Sequence, residues 1–282
     1  MPLRRYAFRF LIAVAAVSLV VYALVGERSA VTAVISPADG DYHQNEELDK
    51  LLPSYGSAGD NFGYSVAIDG DIAVIGVPFD NDNGSGSGSV YVFTRSGSIW
   101  SEQQKLTASD GEGLDEFGHS VAIDGNTVVV GAHNDGDRWD SGGLDSGSAY
   151  VFTRSGTNTR GWWSEQAKLT ASDAATRDNF GTSVAIDGDT AVIGARYDDD
   201  NGKNKKSGSA YVFTRSGTSW SEQQKITDSD ADYGHEFGHS VAIDGETIVI
   251  GVPGHSDEET LLTDDPEDSD DGYNSGAAYI SP

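Results

Sequence analysis

Short apolar runs of five to seven residues recur along the chain, each set off by polar segments rich in Gly, Asp, Asn and Ser. The phrase SVAID begins at Ser65, Ser120, Ser183 and Ser240, and each copy follows a Phe-Gly pair: Phe62-Gly63, Phe117-Gly118, Phe180-Gly181 and Phe237-Gly238. A second apolar run follows (IAVIG, TVVVG, TAVIG, TIVIG), then a polar loop, then a third run (SVYVFTR, SAYVFTR twice, GAAYIS). Three copies add a more polar fourth segment: WSEQQKLTAS, WSEQAKLTAS and WSEQQKITDS. Val, Ile, Tyr, Phe and Thr dominate these runs, which is strand chemistry. Asp-Gly stands between the first two runs of every copy and predicts a tight type I′ hairpin with Asp and Gly at its centre. The second run is almost continuously apolar, as in a strand covered on both faces, and the fourth carries Glu, Gln and Lys like a protected outer edge.

A four-stranded antiparallel unit repeated about every sixty residues and graded from buried inner strand to wet outer strand predicts an all-β chain, a β-propeller with one blade per repeat. The Phe-Gly pairs are expected to wedge one blade against the next, with glycine allowing close backbone approach. The fourth copy lacks an outer strand, and Asp49–Ser54 aligns with the missing QKLTAS segment. It is expected to pair with Ala277–Ile280 and close a four-bladed ring. The alternative is that the chain forms part of a longer or assembled propeller.

HEFGH at residues 235–239 has the spacing of the zinc-protease motif, which needs a helix to bring both histidines to one metal. In the repeat alignment His235 stands where Asp60, Asp115 and Asp178 stand, and His239 where Tyr64, His119 and Thr182 stand. The phrase therefore marks a loop entering an inner strand, and a zinc-protease site at His235-Glu236-Phe237-Gly238-His239 is rejected.

The Phe-Gly pairs, together with Gly76-Val77-Pro78, Gly131-Ala132-His133, Gly194-Ala195-Arg196 and Gly251-Val252-Pro253, resemble the FG-GAP repeats of the integrin α-subunit β-propeller. The resemblance spans about residues 48–282 and implies a non-catalytic, extracytoplasmic binding platform. Blades of that family often hold calcium in an Asp-rich loop between their first two strands. Here that connection is a bare Asp-Gly turn, so the site does not carry over.

The formal charge of −27 disfavours phosphate backbones and anionic lipid head groups, so nucleic acid is not an expected partner. No cysteine is present, which removes thiol nucleophiles and disulfides from consideration. Arg4, Arg5 and Arg9 precede an apolar run over residues 10–25, so residues 1–33 read as a signal peptide or uncleaved anchor and 34–47 as a linker. The chain is expected to be secreted or held at the cell surface, touching the membrane only through that N-terminal segment.

Strand alternation puts the second-to-third and fourth-to-first loops on one face, and these loops are acidic. Asp80, Asp82 and Asn83, with Asp198, Asp200 and Asn201, offer the oxygen donors that Ca²⁺ favours. The bland alternative is that the acids serve solubility. Trp139 and Trp162 have no counterparts in the other repeats and, with Asp135 and Asp137, are candidate contacts for an extracellular protein or glycan. Arg95, Arg154 and Arg215 are expected to pair with Asp69, Asp124 and Asp187. The predicted function is a non-enzymatic adhesion-type module. A structural surface or matrix component is the alternative, and a carboxylate-dependent hydrolase or lyase a more distant one.

Overall fold

The computed structural model describes residues 50–136, 145–156, 161–199, 206–229, 231–255 and 276–281. Residues 1–33 and 34–47, read above as signal and linker, lie outside them. Each repeat forms one antiparallel sheet. The first holds β1 (Ser65–Asp69), β2 (Ile72–Val77), β3 (Ser89–Ser96) and β4 (Ile99–Leu106). The second holds β5 (Ser120–Asp124), β6 (Thr127–Ala132), β7 (Ser148–Arg154) and β8 (Trp163–Leu169). The third holds β9 (Phe180–Asp187), β10 (Thr190–Ala195), β11 (Ser209–Ser216) and β12 (Ser219–Thr227). The fourth has three strands among the described residues: β13 (Ser240–Asp244), β14 (Thr247–Val252) and β15 (Ala277–Ser281).

The hydrophobic layers lie between sheets. Val74 and Val92 of the first sheet pack with Phe117, Val121 and Ile123 of the second. Val129 and Val151 meet Phe180, Val184 and Ile186, and Val192 and Val212 meet Phe237, Val241 and Ile243. One sheet's V-x-I phrase thus docks on the face of the sheet before it. The Phe-Gly wedge works as the sequence suggests. The backbone of Phe117 bridges Gly88 of the preceding blade, as Phe180 bridges Gly147 and Phe237 bridges Gly208. Gly118 has φ +92°, and a Cβ there would lie 2.5 Å from the Ser89 carbonyl, so only glycine fits this approach.

Polar clamps repeat at the same junctions. Ser65 Oγ donates to the Gly118 carbonyl at 2.7 Å, and Ser120 to Gly181 and Ser183 to Gly238, both at 2.8 Å. The amides of Gly125, Gly188 and Gly245 donate to Asp69, Asp124 and Asp187 of the preceding blade at 2.7, 2.7 and 2.5 Å. A β-bulge recurs in each outer hairpin, and the bulged Gln103 and the matching Gln166 accept from the indole N–H of Trp163 and Trp220 in the next blade.

Three expectations are corrected. The inner hairpin pairs Asp69 with Ile72, so Gly70 and Asp71 form the turn; only the glycine has positive φ, at 54°. This is the type II′ pattern with glycine first, and it frees the Asp carboxylate to clamp the next blade. The arginines accordingly pair one step beyond that glycine: Arg95 Nε with Asp71 at 2.8 Å, Arg154 Nε with Asn126 at 3.0 Å and Arg215 Nε with Asp189 at 2.7 Å.

Third, Leu51–Ser54 forms no strand, and β15 pairs with β14 alone among the described residues. Ser54 instead donates to Glu102 of β4 through its amide (2.7 Å) and hydroxyl (2.6 Å). Ser109 and Ser172 make the same pair of bonds to Glu165 and Glu222 one blade later. The segment therefore takes the place of the end of a preceding blade's outer strand, and no strand among the described residues pairs with it. Its leading face stays open: Val66 is 69% and Ile68 66% exposed, and Phe62 is only half-buried where its three counterparts are fully buried. At the other end Ile280 is 69% exposed. The described residues form an open arc of four blades.

Candidate functional site

The second-to-third and fourth-to-first loops meet on one face. The amides of Glu116 and Glu236 donate to the Gly86 and Lys206 carbonyls at 3.1 and 3.3 Å, equivalent bonds at two junctions, and between loops of the same two kinds Leu114 donates to Ser85 at 2.8 Å and Arg177 to Asp145 at 2.9 Å. Beneath this face runs a buried polar pillar. Asp80 is 3% exposed; its carboxylate accepts from the Asp82 amide (3.0 Å) and the Ser89 hydroxyl (2.8 Å) and pairs with Lys105 Nζ at 2.6 Å. Lys105 also reaches Asp82 at 2.5 Å. Burial alone would raise the Asp80 pKa, but its bonds to Lys105 and Ser89 prevail and hold it below the ordinary carboxylate value.

The second blade keeps the buried Lys-Asp pair but brings the second acid from the fourth-to-first loop: Lys168 sits between Asp135 (2.8 Å) and Asp110 (2.7 Å), and the Tyr150 hydroxyl lies within hydrogen-bond distance of both carboxylates and shares its one proton between them. In the third, Lys225 pairs with Asp198 and Asp173 at 2.6 Å each, and Tyr211 bonds both. Asp110 and Asp173 are likewise held low: burial would raise them, and the lysine and tyrosine bonds outweigh it.

Asp80, Asp82 and Asp198, three of the residues predicted to ligate calcium, thus have a lysine ammonium at or beside their carboxylates. Asp200 and Asn201 lie outside the described residues, as do Trp139 and Asp137. The Asn83 amide donates to Ser87 Oγ at 3.3 Å. Asp135, read as a ligand contact, is 6% exposed and belongs to the pillar, so it offers a partner no surface. Trp162 is 69% exposed, but it sits in the third-to-fourth turn on the face opposite the acidic loops. Sequence reasoning missed Tyr55, Leu114 and Tyr233, exposed by 75%, 47% and 70%; all three lie in fourth-to-first loops on the acidic face.

A second buried set precedes each Phe-Gly pair. Asp60, Asp115 and Asp178 accept from the amides of Ser57, Glu112 and Ala175 at 2.6, 2.5 and 2.6 Å. Burial pushes Asp115 up to about 7 and Asp178 to about 6, with the nearby Asp135 and Asp198 adding to the rise. Two histidine clusters break the pattern. Glu116, His119 and His133 stand together near the start of β5 and the end of β6, with Glu116 3.7 Å from His119 and 3.8 Å from His133. At the junction of the third and fourth blades, Asp228 just after β12, His235 and His255 are all buried and mutually close. His239 is exposed and belongs to neither, so the two histidines of HEFGH do not converge.

Four segments of the chain, residues 46–93, 100–152, 163–213 and 220–281, match the FG-GAP repeat family, and together they cover well over half of it. The chain belongs to the FG-GAP repeat family. Comparison with curated proteins returned no relative. Each matched FG-GAP segment after the first starts on the outer strand of one sheet (β4, β8 or β12) and runs through the first three strands of the next, so the family unit is offset from the blade by one strand and spans a junction. The FG of each repeat is the Phe-Gly wedge at an inter-blade junction. Its GAP position ends the second strand, where Gly76, Gly131 and Gly194 lie so close to the next blade's Gly118, Gly181 and Gly238 that a Cβ would lie about 2 Å from their carbonyls.

Proposed function

We propose that this FG-GAP protein is a non-enzymatic, extracytoplasmic binding module that engages a protein or glycan through its acidic loop face. The observation that carries the reading is the exposure of Tyr55, Leu114 and Tyr233 among acidic loops held from below by the Asp-Tyr-Lys pillars. Exposed tyrosine on a rigid base gives contact area at little entropic cost, and surrounding carboxylates steer cationic protein surfaces or accept from sugar hydroxyls. Calcium at Asp80 and Asp82 would have to displace Lys105, so the pillars supply internally the positive charge that a metal would otherwise bring. The test is to probe the full chain against arrays of extracellular proteins and glycans at low and high salt. Saturable binding weakened by salt and by Tyr233→Ala, but not by Trp162→Ala on the opposite face, supports the reading. Absence of binding, or equal loss in both variants, contradicts it.

A second reading, a structural component that assembles with itself, has its own observation. Val66 and Ile68 at one end and Ile280 at the other expose the same kinds of surface that are buried together at every internal junction. Concentration-dependent mass without foreign ligand, abolished by Val66→Asp, would favour it over the first.

A further inference from the structure

We propose that Asp228, His235 and His255 form a site for a divalent transition metal of the zinc type, joining the third blade to the fourth. His235 occupies the position of Asp60, Asp115 and Asp178, and His255 that of Asp80, Asp135 and Asp198; Asp228 stands where Ala108 and Ala171 stand. Two buried carboxylates have become imidazoles, and one carboxylate has appeared where its counterparts are methyl groups. In the first three blades the buried acids are balanced by Lys105, Lys168 and Lys225, each carried on a fourth strand.

Geometry and donor chemistry agree. Asp228, His235 and His255 are 3%, 3% and 5% exposed, and their ligand atoms lie within 4.8 Å of one another. His235 Nδ1 is hydrogen-bonded to Asp228 Oδ2 at 2.9 Å, and a bound ion would replace that proton and part the two atoms to about 3.3 Å, the separation of two donors on a tetrahedral zinc. The Tyr279 hydroxyl donates to Asp228 Oδ1 at 2.7 Å and orients the carboxylate as an outer-shell partner does. Two imidazoles and a carboxylate suit Zn²⁺, Co²⁺ or Ni²⁺, not the all-oxygen preference of Ca²⁺ or Mg²⁺. The Glu116, His119 and His133 cluster has similar donors, but its two imidazole rings crowd each other, with centroids 3.9 Å apart at a tilt of 47°, and the positive charge of Arg196 acts on His133. The Asp228, His235 and His255 cluster is therefore the stronger site, and it shares only His235 with the protease-like phrase.

The experiment uses the purified full chain, stripped with chelator and titrated with Zn²⁺ against a competing chromophoric chelator. Co²⁺ substitution gives the spectroscopic readout. One Zn²⁺ per chain is expected at this site, with tetrahedral cobalt bands in the visible. His255→Asp and Asp228→Ala each install the residue that other blades carry, so loss of fold is not the anticipated effect, and circular dichroism checks it. Each should weaken this site at least 100-fold, whereas His133→Arg, matching Arg196, should leave it intact. Stripped wild-type protein that takes up no zinc would overturn the proposal, as would equal zinc affinity and cobalt spectra in wild type, His255→Asp and Asp228→Ala.

Discussion

Lys168→Met separates a buried ion-pair pillar from a set of surface charges. Asp135 is 7% exposed at its side chain and accepts from Lys168 at 2.8 Å and Tyr150 at 2.7 Å. Removing one partner of a buried pair typically costs about 3–5 kcal/mol because the remaining charge is uncompensated. The variant should therefore lose roughly 3–5 kcal/mol at pH 7. Adding Asp135→Asn should recover much of that loss. Urea denaturation of wild type, both single variants and the double variant at pH 7 completes the cycle. A penalty below about 1 kcal/mol at pH 7, or strictly additive single losses, would refute the claim that Lys168 compensates a buried carboxylate.

Other perturbations probe the junctions and the buried acids. Phe180→Ala should cost about 3–5 kcal/mol in denaturant unfolding. Phe62→Ala, half-buried on the open leading face, should cost clearly less, and equal losses would mean that a blade covers Phe62. Gly118→Ala places a Cβ 2.5 Å from the Ser89 carbonyl at φ +92° and should destabilise by more than about 1 kcal/mol, whereas Gly97→Ala, also left-handed but open, should cost only the backbone strain. Asp115 and Asp178 have folded pKa values raised above the ordinary one, so their contribution is full below about 4 and lost as pH rises through about 6–7. Asp80, Asp110 and Asp173 are shifted down, so theirs is present above about 4 and lost as pH falls further. Melting temperature should therefore peak between about pH 4 and 6, and Asp115→Asn should flatten the decline toward pH 8; a steady rise from pH 5 to 8 would contradict this. Lys105→Met should make melting more responsive to millimolar calcium than wild type, and identical responses would show that Lys105 does not compete with the ion.

Much of the fold was legible because each repeat states its pattern independently. Four Phe-Gly pairs and four V-x-I phrases could be aligned without a structure, and the buried second strand followed from its unbroken apolar run. The hairpin register was misread because Asp-Gly is a favoured turn centre, while here the Asp closes the ladder and only its glycine enters the turn. That shift of one residue moved the arginine partners from Asp69 to Asp71 and from Asp187 to Asp189. Lys105, Lys168 and Lys225 looked like edge protection because long cationic side chains usually are; their inward reach depends on carboxylates 25–33 residues earlier in the chain. Exposure of Tyr55, Leu114 and Tyr233 is set by which loops rise above the pillars, which no local pattern encodes. The Asp228, His235 and His255 cluster could have been found by extending the alignment of His235 to the Asp80 position, where His255 stands.

Central to the account is one junction, used three times and left open at both ends. Hydrogen exchange of the full chain, at a concentration where it is monomeric, reads every junction in one experiment. The account predicts the slowest exchange in β6 and β10, whose two faces are covered, and fast exchange in β15 and the free edge of β1. Protection of β1 and β15 equal to that of β6 and β10 in a monomer would contradict it, because it would mean that the two ends meet and the four blades close into a ring.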